Sequence, residues 1–162
     1  WFYNNLTNFF ILIIFCFLQI SLNFLTIFSI SQPYLMIIIL FILLRKSKNP
    51  PPILMLVFVG LFYDFLTGTH IGIHPFFFAT ILNFSNFLER QFQISKNYGD
   101  WILFAIVYFV SLVLTKLVFM LFTFEMPDLN SICFNMGTTI LIYPLIKFLS
   151  EIPKMIVDLI NN

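Results

Sequence analysis

The sequence predicts an all-α fold: a polytopic integral membrane protein, built as a bundle of six transmembrane helices with both termini cytoplasmic. Three observations predict it. Of 162 residues, 60% are hydrophobic and only 9% charged, with a mean hydropathy of +1.00, whereas soluble domains carry roughly a quarter charged residues. A soluble core of this size cannot hide so much apolar surface, so lipid is the expected solvent. Apolar runs recur six times between short breaks, and the cations at those breaks fall at alternate ones only.

The first helix is expected over about 9–28, long enough for a hydrocarbon core of about 30 Å, which takes about 20 residues at 1.5 Å each. Its apolar stretch has no small-residue cleavage site, so it reads as a span and not as a cleaved signal peptide. Pro33 suits the first turn of a second helix over 33–44, where its absent N–H is not missed. Arg45, Lys46 and Lys48 follow, and Pro50, Pro51 and Pro52 stiffen a turn through which no helix continues. A third helix, 53–66, is expected to end in a left-handed cap at Gly68.

The second and third helices are short, about 18 and 21 Å by the same rise. A re-entrant hairpin would bury Arg45, Lys46 and Lys48 at membrane depth, at about 2.5–3.5 kcal/mol each. Both segments are therefore expected to cross, with flanking residues or local thinning making up the length. The fourth and fifth helices are expected over 74–88 and 101–124. The sixth, 131–148, has an N-cap available in the stretch from Asp128 to Ser131 and a kink expected at Pro144. A short amphipathic tail, with Met155, Ile156, Leu159 and Ile160 against Lys154 and Asp158, is expected along the inner interface. Residues 1–162 thus read as a single transmembrane domain, with no soluble portion large enough to bind nucleotide, substrate or nucleic acid by itself.

Basic residues set the orientation. Arg45, Lys46, Lys48, Arg90, Lys96, Lys147 and Lys154 all fall on one side of six crossings, while the connections 29–32, 67–73 and 125–130 hold no Lys or Arg. The positive-inside rule assigns that side to the cytoplasm, along with both termini. Five or seven crossings would scramble the partition.

Within this layout the most informative residue is Asp64, the only acid before Glu89. Its apolar setting costs several kcal/mol unless the carboxylate is paired or wetted. Lys116 is the other embedded charge, at a similar depth. Two partners for Asp64 follow: a pair with Lys116, or hydrogen bonds to Thr67 and the Gly68 turn while Lys116 snorkels outward. His70 and His74 are four apart, but Gly72 between them and Pro75 after them spoil the helical geometry of a zinc pair, and a third ligand is lacking. They are expected as loop histidines at headgroup level, with no metal and no cofactor. Cys16 and Cys133 read as small hydrophobes. Polar stripes at helical spacing (Cys16, Gln19, Asn23, Thr26; Thr80, Asn83, Asn86; Tyr108, Ser111, Thr115) point to interhelical hydrogen bonds, or else to a hydrophilic pocket for a small solute.

The segment from Gln32 to Leu44, the basic and proline-bearing turn, and then Gly60-Leu-Phe-Tyr-Asp-Phe-Leu-Thr-Gly68 with Ile71-Gly-Ile-His74 resemble the bacterial rod shape-determining MreD family. The family pattern, a Pro-led short helix, a positive turn, then G-x-x-x-D-x-x-[ST]-G-x-x-x-G, falls here on Pro33, Arg45 to Lys48, Gly60, Asp64, Thr67, Gly68 and Gly72. Tyr143-Pro144 in the last helix also fits; Lys116 maps onto no family feature. The resemblance implies a non-enzymatic membrane subunit of the cell-elongation machinery, regulating cell shape and peptidoglycan synthesis. Its implied partner is the bitopic protein MreC, and through it the actin-like MreB, the glycosyltransferase RodA and a penicillin-binding transpeptidase.

Two other classes compete. The substrate-binding subunit of energy-coupling-factor vitamin transporters is similar in span count and length, but carries Ala-x-x-x-Ala in its first helix, where this chain has no alanine. A membrane enzyme acting on a lipid headgroup, with Asp64 as acid or base, ranks third.

Overall fold

The computed structural model describes residues 2–24, 33–46, 51–92, 99–123 and 128–160. Within them the chain is all-helical: α1 (Phe2–Phe24), α2 (Leu35–Lys46), α3 (Ile53–Thr67), α4 (Ile73–Phe92), α5 (Gly99–Thr123) and α6 (Leu129–Ile160). Their order matches the six predicted segments. Lys48, Pro50, Lys96, Thr26, the 29–32 connection, residues 125–127, and the side chains of Asn23 and of the 154–162 tail lie outside what is described.

The boundaries differ for one physical reason. Hydropathy marks where a helix is greasy, but helical hydrogen bonding continues past that point. So α1 begins at Phe2, α4 runs on to Phe92, and α6 extends to Ile160 as one helix of 32 residues instead of stopping before a separate tail. At its start, α2 is later than expected. Pro33 precedes the helix, and the Tyr34 carbonyl receives its first bonds, from Ile37 N at 3.1 Å and Ile38 N at 3.4 Å.

Pro144 lies inside α6 and leaves the Ile140 carbonyl without its helical donor. The Trp101 indole N–H takes that place at 3.0 Å, across from α5. The vacancy a proline creates in one helix is filled by its neighbour.

Helix α2 is the centre of the bundle, touching α1, α4 and α6. Met36 to Ile42 and Leu44 are all buried, as expected of a helix that is apolar all round. Phe41 of α2 meets Phe104 of α5 and Tyr143 of α6 at ring distances of 5.2 and 5.8 Å, and those two rings stack at 4.3 Å. Around this core the outer faces of α3, α5 and α6 expose Leu54, Phe58, Phe65, Leu121, Phe122 and Leu141. Among the described residues, two helical segments are long and apolar enough to cross a membrane: Gly99–Thr123, of mean hydropathy 2.5, and Asn130–Glu151, of 1.5. The stretches Leu6–Leu22 and Ile53–Thr67 are shorter apolar helices.

Candidate functional site

The start of a helix exposes N–H groups that need acceptors, and in an apolar bundle water does not supply them. Here two helices receive theirs from other helices. Ahead of α2, Leu35 N donates to Gln19 Oε1 of α1 at 2.7 Å, and Tyr34 N donates to Thr139 Oγ1 of α6 at 3.0 Å. Gln19 of the first-helix stripe is thus a cap for α2. The second case, at the start of α4, is the candidate site.

Helix α3 packs more extensively on α4 than any other helix pair does, and Gly60 explains how closely. A methyl group there would fall 2.5 Å from the Pro75 nitrogen and 2.8 Å from its Cα. One turn later Asp64, fully buried, points into the 68–72 turn. Gly68 ends α3 in the left-handed region at φ 66°, and Gly72 precedes α4 at φ 106°. Both angles suit glycine, which carries no Cβ to clash.

That path wraps four donors around the Asp64 carboxylate. Thr69 Oγ1 donates to Oδ1 at 3.1 Å, Gly72 N to Oδ2 at 2.7 Å, and His74 N to Oδ1 at 3.4 Å. The His74 Nδ1 lies 2.5 Å from the same oxygen. An ionised carboxylate only accepts, so Nδ1 carries the proton. The positive end of the α4 dipole faces the charge as well. Asp64 is therefore a cap for α4 supplied from α3. His74 is held further by the Tyr63 ring, edge-on at 4.5 Å.

Three expectations are corrected here. Asp64 is bonded to His74, Gly72 and Thr69, not to Lys116. Thr67 does not donate to its carboxylate but to the Tyr63 carbonyl at 2.8 Å. His74 is no loop histidine at headgroup level: it is buried in the first turn of α4, while His70 is exposed beside Phe119. Among the described residues, no three of His, Cys, Asp and Glu gather to hold a metal. The fourth-helix stripe also differs, since Asn83 is exposed and Thr80 donates to its own helix at the Phe77 carbonyl.

At the opposite end of the bundle sits an ionic cluster that sequence reasoning missed. Asp100, in the first turn of α5, is ion-paired to Arg45 at the end of α2 and to Lys147 of α6, the latter at 3.0 Å. Arg45 also reaches Glu89 of α4 at 2.8 Å, and Lys46 donates to Ser150 Oγ at 2.8 Å. Four helices are tied together there. The available signal was Asp100 itself, the only acid between Glu89 and Glu125, standing at a helix start where negative charge is favoured.

Lys116 and the Asp64 clasp border a common space. A cavity of about 310 Å³ lies between the start of α2 and helices α4, α5 and α6, lined by Tyr34, Thr69, His74, Lys116, Ser131 and Asn135 among others. A more open groove of about 490 Å³ shares Ile73, Thr115 and Phe119 with it and is otherwise lined mainly by apolar side chains, Ile71, Phe76, Val118 and Phe122. Pro33 and Pro144 belong to neither. Of the eight residues singled out from the sequence, the structure unites Gly60, Asp64, Thr67, Gly68 and Gly72 in one hairpin. No protein-family model, curated protein or solved structure matches the chain.

Proposed function

We propose that the chain is a six-span, non-enzymatic membrane subunit of a bacterial cell-elongation complex, similar to the MreD family. It would sit in the inner membrane and act by binding an MreC-like bitopic protein, and through it MreB-like actin, RodA and a penicillin-binding transpeptidase. The observation that carries the reading is the α3–α4 hairpin. Each glycine of the G-x-x-x-D-x-x-T-G-x-x-x-G pattern has its own steric or conformational demand there, and the aspartate joins the two helices. A motif spent wholly on fixing one hairpin suits a subunit that works by presenting a shape.

Six crossings are supported by the separation of polar groups. Arg45, Glu89, Asp100 and Lys147 gather at one end, and the 68–72 turn, Lys116 and Asp128 border the cavity toward the other. The short α2 is sheathed by its neighbours, so it need not match the bilayer alone. A transporter subunit is the second reading, favoured by the polar cavity, although α1 lacks the alanine pair of that class.

Co-purification of the tagged protein from native membranes in mild detergent tests the proposal. Capture of a single-span protein with a periplasmic coiled coil is the expected result. Capture of an ATPase module in its place would overturn it in favour of transport.

A further inference from the structure

We propose that the polar cavity and the groove beside it form one binding site for an anionic phospholipid. The phosphate headgroup would lie in the cavity against Lys116, and an acyl chain in the groove. Among the described residues, Lys116 is the only Lys or Arg of the cavity wall, and no carboxylate lies within ion-pair distance of it. A half-buried ammonium in an apolar bundle calls for a counter-charge. Three other titratable groups border the cavity: Tyr34, His74, whose Nδ1 meets Asp64, and Asp128, whose carboxylate accepts the Asn130 N–H at 3.1 Å. Ser131 and Tyr34 line the same wall, and hydroxyls of their kind donate to phosphate oxygens.

The groove decides between a soluble anion and a lipid. A free phosphate would use the cavity alone. The groove adjoins it across Ile73, Thr115 and Phe119, and opens onto the outer face between Ile71 and Phe122, which are 78% and 80% exposed. A chamber of mixed lining that carries Lys116, continuous with a slot lined mainly by apolar side chains on the outer face, has the form of an amphiphile. At about 310 Å³ the chamber is at the small end of ligand sites, enough for a headgroup. A zwitterionic lipid fits less well, because its own ammonium would meet Lys116.

The inference rests on the bundle standing in a bilayer and not on any protein partner. The full chain in detergent is titrated with dioleoylphosphatidylglycerol and with dioleoylphosphatidylcholine, and bound lipid is counted by native mass spectrometry. The anionic lipid is expected to bind about five- to tenfold more tightly, the worth of one charge-assisted contact. Lys116→Met should abolish that preference. Lys116→Arg should keep it, as should Arg90→Gln, which removes an exposed cation at the end of α4. Val118→Trp, which fills the groove, should weaken both lipids.

Equal affinity for the two lipids, or a preference that survives Lys116→Met, would overturn the site. Displacement of phosphatidylglycerol by an equal concentration of glycerol 3-phosphate would overturn the lipid assignment in favour of a soluble anion. If Lys116→Met does not fold, the wild-type ratio and Val118→Trp decide. Neither result depends on capturing a partner, so this site and the proposed complex fail separately.

Discussion

Replacing Asp64 by Asn keeps the shape of the side chain while removing its charge and one acceptor atom. In the folded chain Oδ1 accepts from Thr69 Oγ1, His74 N and His74 Nδ1, and Oδ2 accepts from Gly72 N. An amide has one oxygen to offer. Turned toward Thr69 and His74, it sets its NH2 against the Gly72 N–H. Losing that charge-assisted bond and leaving the N–H unmet costs about 1.5–3 kcal/mol. Loss of negative charge at the start of α4 adds about 0.3–1 kcal/mol. Gly72 is only partly buried, so the lower half of the summed range applies, about 2–3 kcal/mol. Unfolding in mixed micelles, followed by far-ultraviolet circular dichroism as dodecyl sulfate is increased, measures it. A double-mutant cycle with His74→Phe should give a coupling above about 1 kcal/mol. Stability of Asp64→Asn within about 0.5 kcal/mol of wild type, the range of ordinary surface substitutions, would refute the capping role. Coupling to Lys116→Met in place of His74→Phe would restore the ion pair that depth alone suggested.

Two further outcomes follow from close contacts between helices. Gly60→Ala should destabilise by about 1–3 kcal/mol, the usual cost of overpacking, because the obstacle is Pro75 backbone and ring, which cannot swing aside; the same unfolding assay reads it. Trp101→Phe should cost about 1 kcal/mol through the unmet Ile140 carbonyl. In a Pro144→Ala background that cost should shrink toward zero, since the backbone N–H gained with alanine restores the helical donor.

Legibility in the sequence divides along physical lines. Helix number and order were readable because apolar runs and prolines are local signals, and Gly68 was readable as a cap because a left-handed residue after a helix is a local event. That Asp64 needed partners was also legible from its apolar run. Which partners was not. Depth along a helix says how far in a group lies but nothing of its partner, so Lys116 matched Asp64 in depth without pairing with it. The true donors, Thr69, Gly72 and His74, depend on how the turn folds back, which two positive φ angles decide. The Arg45–Asp100–Lys147 cluster escaped for a related reason. Its members lie 55 and 47 residues apart, a separation that leaves no mark in periodicity, and the cations had already been read as markers of orientation.

The acceptors that finish the start of α2 come from opposite directions along the chain. Gln19 is synthesised before the segment it serves, whereas Thr139 emerges 105 residues after Tyr34. During synthesis, then, the innermost helix forms with its first amides half provided for, and remains so until α6 arrives. Any fragment ending before α6 has a central helix with an unmet donor at its head, which makes the arrival of α6 the step that completes the packing around α2.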